Sequence, residues 1–169
     1  IMISRIKSIA RTRSAVITVS VGFYLIAHCC DARVIYVSEG GSGDGTSWQA
    51  PVGSITSALN VSSPSDEIWV KEGVYNEIVS LGNSISLIGG FKGDESSKDQ
   101  RNPDIYQTVI DATGYEGNAI SLERYAKNIH VDGFRIIGRP GYWCYYSIDA
   151  SSTMVNCHIT SEARPSVRG

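Results

Sequence analysis

From residue 33 onward the chain reads as short apolar runs broken by turn residues, and no run holds a helical period for long. "RVIYV" (33–37) alternates Val34 and Tyr36 with Ile35 and Val37, then breaks into the Gly/Ser/Asp loop "SEGGSGDGTS" (38–47). Further strand-like pieces follow at "EIWV" (67–70), "SISLIGGF" (84–91), "QTVIDA" (107–112), "NAISLE" (118–123), "NIHVDGFRIIG" (128–138) and "TMVNCHITS" (153–161). Gly, Asn, Asp or Ser turns separate most of them. One exception has helical spacing. Ser54 can cap a short helix in which Ile55, Ala58 and Leu59 fall at i, i+3 and i+4. A helix of two turns is not stable alone, so its apolar stripe must lie against something larger.

The strand-like pieces recur. Leu87 and Ile110 are about 23 positions apart, and "VDGFRI" (131–136) aligns with "MVNCHI" (154–159) at the same offset, which sets Phe134 over Cys157 and Ile136 over Ile159. A repeat of that length made of strands without intervening helices predicts an all-β parallel solenoid. Each coil pairs with the next at roughly 4.8 Å, and equivalent inward side chains stack in columns. In "IWVKEGVYNEI" (68–78), "IWV" is then one face, "KEG" a corner and "VYNEI" the start of the next face. The helix at 54–60 covers the open end of the stack, which would otherwise present unpaired backbone.

Composition sharpens this picture. Seventeen glycines, clustered between apolar runs, are the punctuation of a turn-rich β protein. Residues 1–32 stand apart: Arg5, Lys7, Arg11 and Arg13 precede the apolar stretch "SAVITVSVGFYLIA" (14–27), and Cys30 and Ala32 are small residues at the two positions a signal peptidase reads. This predicts a signal peptide over 1–32 and a secreted or cell-surface chain, with 33–66 as strand, loop and capping helix and 67–169 as the coils. Without 1–32 the chain keeps 11 Lys and Arg against 16 Asp and Glu. That acidic balance argues against nucleic acid or an anionic membrane as partner, and no membrane span is expected in the mature chain. Cys144 and Cys157 remain, either bonded to each other in an oxidising compartment or, for Cys157, serving as a buried small hydrophobe.

Four segments also carry a family likeness: "YVSEGGSGDGTSWQAPVGSITSAL" (36–59), "DEIWVKEGVYNE" (66–77), "SISLIGGFKGDE" (84–95) and "TVIDA" (108–112) after Gln100 and Arg101. In this order they resemble the N-terminal portion of secreted bacterial right-handed parallel β-helix proteins of the pectin lyase-like superfamily. The resemblance implies that fold, and it implies more coils than this chain holds. Further coils or a capping partner are therefore expected beyond the C-terminal end. It leaves activity open between a non-catalytic domain that binds carbohydrate or presents an adhesive surface, a polysaccharide lyase or hydrolase with catalytic coils beyond Gly169, and a structural cap or spacer.

For lyase chemistry the resemblance implies carboxylates on neighbouring coils around calcium, with a Lys or Arg as base. Asp111, Asp132, Asp149 and Asn156 supply oxygens, and Lys127, Arg135 and Arg139 supply cations, but no motif unites them. No metal or other cofactor is expected on sequence grounds. The "GGSGDGTS" loop (40–47) fits neither an EF-hand nor a phosphate loop and reads as a flexible turn. "GRPGYWCYYS" (138–147) is the better candidate: Arg139, Tyr142, Trp143 and Tyr145 lie on an insertion between coils, where aromatics either stack on sugar rings or staple the loop to the coil beneath. A polysaccharide or cell-surface glycan is the partner this predicts.

Overall fold

The computed structural model describes residues 32–161; the segment 1–32 that the sequence reads as a signal peptide lies, but for its last residue, outside them. The chain is mostly β and its sheets are parallel. It begins with β1 (Val34–Val37) and the helix α1 (Ile55–Val61), then passes through β2 (Glu67–Lys71), β3 (Gly73–Tyr75), β4 (Val79–Leu81), β5 (Ser86–Phe91), β6 (Thr108–Asp111), β7 (Ile120–Leu122), β8 (Ile129–Asp132), β9 (Phe134–Gly138), β10 (Tyr145–Tyr146), β11 (Ser152–Val155) and β12 (His158–Ser161). Sheet A has the order β1-β2-β5-β8-β11, sheet B β12-β9-β6-β3, and sheet C β10-β7-β4. From β2 onward the strands therefore enter A, B and C in fixed rotation, and all neighbouring strands pair in parallel.

Register explains the core. In sheet A, Ile35, Ile68, Leu87, Val131 and Met154 stack in one column; in sheet B, Tyr75, Ile110, Ile136 and Ile159 do the same; in sheet C, Val79, Ile120 and Tyr145. All but the final member of each column are buried in a single cluster. At the last circuit the columns open: Ile159 is 45% exposed where Ile136 and Ile110 are fully buried. Among the described residues nothing pairs beyond β10, β11 and β12.

The register also corrects one repeat. Ile136 does lie over Ile159, but Leu87 and Ile110 belong to different sheets; Leu87 pairs with Val131, and Ile110 with Ile136. The insertion between β5 and β6 lengthens that circuit, so a constant offset of 23 holds only from β8–β9 to β11–β12. The corner between sheets A and B is tight. Gly133 (φ +80°) fills it between β8 and β9, and Asn156 (φ +48°) fills it between β11 and β12, both residue types that tolerate the left-handed region.

α1 forms as its sequence predicts, with the Ser54 side chain accepting from the Ser57 amide and with Ile55 and Ala58 buried. It packs on β1, β2 and β4. Glu77, from the turn after β3, also caps it, accepting from the Ile55 and Thr56 amides at 2.8 Å each. The Gly-rich loop is held more firmly than a flexible turn: Tyr36 donates to Gly45 O at 2.9 Å, and Gly43 and Gly45 donate to Pro51 O and Ala50 O at 2.8 and 2.7 Å. Asp44 accepts from the Thr46 hydroxyl at 2.7 Å and amide at 3.1 Å, and those bonds lower its carboxyl pKa. No helix among the described residues is long and apolar enough to cross a membrane.

Candidate functional site

Strand alternation turns Ser80, Ser121 and Tyr146 to the outer face of sheet C, one residue from the buried column. This face is narrow, because its strands are only two or three residues long. The loops entering it from sheet B lie at one end and those leaving for sheet A at the other. The entering loops carry Tyr115, Glu116, Arg139, Tyr142 and Trp143; the leaving loops carry Arg124, Tyr125 and Asp149.

Trp143 is 68% exposed, and Tyr142 is exposed beside it. The backbone beneath is fixed by the neighbouring circuit: the Trp143 amide donates to Asn118 Oδ1 at 2.9 Å, and Trp143 O accepts from the Ala119 amide at 3.0 Å. A pinned backbone with its ring in solvent separates the two sequence readings of this residue, because a staple would have its ring underneath. Tyr145 sits differently. It is in register with Ile120, half-buried against the core, and its hydroxyl meets Ser152 Oγ. Tyr145 therefore anchors the loop, and Tyr146 takes the outward position. Arg139 reaches Glu116 at 3.7 Å. At the other end Arg124 lies over the Tyr125 ring, 4.9 Å from its centroid, and pairs with Asp149 at 3.0 Å. Cys144 and Cys157 are free, half-buried thiols; burial raises the Cys157 pKa against the opposing pull of nearby backbone amides.

The oxygen donors named from sequence do not gather. Asp111 accepts from Thr113, and Asp149 is held by Arg124, whereas Asp132 and Asn156 meet each other on the outer side of sheet A, where Asn156 Nδ2 donates to Asp132 Oδ1 at 2.8 Å. Among the described residues no three His, Cys, Asp or Glu side chains converge as metal ligands do. The cation beside Asp132 is none of those expected. Arg101, on the insertion between β5 and β6, pairs with Asp132 Oδ2 and donates through Nη1 to Gly89 O at 3.1 Å. A contact across 31 positions leaves no local sequence signal. On the same face Lys98 pairs with Glu67 at 2.8 Å, and Glu67 also accepts from Trp69 Nε1 at 2.8 Å. Burial opposes ionisation of Glu67, but the Lys98 and Trp69 bonds outweigh it and hold the carboxyl below its ordinary range.

Compared with family models, curated proteins and solved structures, the chain matches none of them.

Proposed function

We propose that residues 33–169 are the N-terminal part of an exported right-handed parallel β-helix of the pectin lyase-like kind, whose sheet C face holds carbohydrate without turning it over. The fixed rotation of parallel strands through three sheets is what such a coil requires. The observation that carries the binding reading is the exposed Trp143 ring on a backbone tied to the next circuit. A sugar stacking on such a ring meets a backbone that is already ordered, so that part of the immobilisation cost is met before binding. Tyr142 extends the platform, and Arg139 and Glu116 stand beside it with donors and acceptors for hydroxyl groups. The open apolar columns at β10–β12 suit further coils or a capping partner at that end.

Retention on immobilised polysaccharides tests this reading. The chain is expected to be retained on at least one and to release no reducing ends or unsaturated uronates from it. Trp143→Ala should weaken retention about tenfold, equivalent to one lost aromatic contact of ~1.4 kcal/mol. Product release would replace this reading with an enzyme, and undiminished retention of Trp143→Ala would remove the loop from it.

A further inference from the structure

We infer that the outer face of sheet A carries a second binding site, shaped for an uncharged, polyhydroxylated ligand such as a neutral oligosaccharide. The site is a cleft of about 620 Å³. Its floor is the outward column Glu67, Ser86 and His130 with Asp132 beside it, and its wall is the insertion at 98–104. A second cleft of about 350 Å³ adjoins it at the corner leading to sheet B and shares Pro103, Asp104, Asn156 and His158 with it. Together they form one groove that runs from the outer face of sheet A to its corner with sheet B.

The chemistry of the lining selects the ligand. The two cationic side chains in the larger cleft, Lys98 and Arg101, are each already bonded to a carboxylate, Glu67 and Asp132. The Arg101–Asp132 pair is largely buried, with side chains 15% and 11% exposed. Within the larger cleft an anion would have to break one of these pairs and then face the surplus of carboxylates, which is costly for a pair so enclosed; the exposed Arg135 stands outside it, in the adjoining cleft with Asp104. A cation fares little better: the carboxylates not held in pairs, Asp99 and Asp104, lie on exposed positions where a surface ion pair is weak. What remains for a ligand on the floor is the Ser86 hydroxyl, the His130 imidazole, whose Nε2 also lies 3.6 Å from Asp132 Oδ2, the outer edge of the Asn156 amide and the spare lone pairs of Glu67. That mixture of donors and acceptors is matched by hydroxyl groups, each of which both gives and receives a hydrogen bond. The ion pairs also hold the wall in place before any ligand arrives.

This site is independent of the Tyr142–Trp143 loop, since it lies on a different sheet. A chain with both sites is bivalent and can bridge two glycan strands, or two stretches of one.

Calorimetric titration of the full chain with cellohexaose, xylohexaose and mannohexaose, each alone and beside hexagalacturonate, tests the inference. At least one neutral hexasaccharide is expected to bind at two sites, with Ser86→Trp removing one, Trp143→Ala the other, and the double variant both. His130→Ala should reproduce the loss seen in Ser86→Trp, and the His130 ring proton resonances should shift on titration of Trp143→Ala. In that Trp143→Ala background hexagalacturonate should bind at least tenfold more weakly than the neutral ligand. Circular dichroism and melting curves establish that each variant is folded. If Trp143→Ala alone abolishes all binding, the second site is refuted while the loop reading stands. If Ser86→Trp alone abolishes it, the reverse holds. Binding of none of the neutral ligands overturns the second site and leaves the loop reading to the retention assay on immobilised polysaccharides, and preference for hexagalacturonate in the Trp143→Ala background overturns the ligand class.

Discussion

Sheets A and C are threaded by the same chain in the same rotation, yet loops cover their outer faces to different extents. On sheet A two loops return over the strands. The outward column Tyr36, Trp69 and Ile88 is covered by Trp48 from the first loop and by Phe91, forming an apolar cluster separate from the core. Trp69 stacks on Phe91 with centroids 4.7 Å apart, and Trp48 Nε1 donates to Glu95 O at 3.0 Å, joining the first loop to the insertion that follows β5. On sheet C no described loop covers the strands. Its outward positions are Ser80, Ser121 and the half-buried Tyr146, and Tyr142 and Trp143 stand at its edge in solvent. The sheet geometry is common to both, so whether a face is packed or open is decided by whether a loop folds back over it, and on sheet A the packed part around Trp69 stands beside the cleft over Glu67, Ser86 and His130.

Phe91 reaches the outer cluster through a local device. The β2–β5 pairing slips by one residue between Trp69 and Lys71, so that Lys71 pairs with Phe91 rather than Gly90. Gly90 has φ +88°, and a Cβ there would lie 2.7 Å from Pro103 Cα, so only glycine fits the bulge that turns Phe91 outward. If the covered face of sheet A is a second core, Trp69→Ala should cost about 3–5 kcal/mol in urea unfolding, as much as Phe134→Ala in the inner core. A cost below about 1 kcal/mol for Trp69→Ala would make the covering loops a loose veneer and erase the contrast with sheet C. The same small value for Phe134→Ala would disprove the register that places it in the column beneath.

A smaller effect distinguishes the two faces by pH. The Glu67 carboxyl ties the insertion to sheet A through Lys98 and is held below its ordinary range when folded. A group with a depressed folded pKa stabilises the fold above its unfolded value and loses that contribution as pH falls through the folded value. Stability should therefore be level above about pH 5 and fall as pH drops below about 4.3, the ordinary glutamate value. Glu67→Gln should cost about 1 kcal/mol at pH 7 and lessen the fall in acid. An unchanged acid slope in Glu67→Gln would show that the loop is held by packing alone.

The strands of sheets A and B were legible in the sequence because they are mostly four to six residues long and rich in Ile, Val and Phe. Those of sheet C were only partly legible. β4 and β10 have three and two residues, too few for alternation to declare itself, so "VSL" does not stand out as a strand and "YY" reads as part of the insertion at 138–147. The same shortness hid the side on which Tyr145 falls. Trp69 was read as strand but not as core, since burial on the outer face depends on loops that return from residues 48 and 91–95. The Tyr142–Trp143 loop was legible as an aromatic-rich insertion, whereas the Arg101–Asp132 pairing depends on register between distant segments.

The smallest expected effect is the one that bears most on function. Trp143 contributes a ring to solvent and a backbone to the fold: its amide and carbonyl bind Asn118 and Ala119, and neither bond involves the indole. Trp143→Ala keeps both bonds and removes apolar surface that is already mostly wet, so its cost should be under about 0.5 kcal/mol. Asn118→Ala, by contrast, removes the acceptor for the Trp143 amide while leaving the ring, and should cost about 1 kcal/mol. If carbohydrate binding depends on a ring held ready, both variants lose affinity, the first through the ring and the second through its positioning. If Trp143→Ala instead proves as destabilising as Trp69→Ala, the indole is packed after all, and the open face of sheet C is no less covered than that of sheet A.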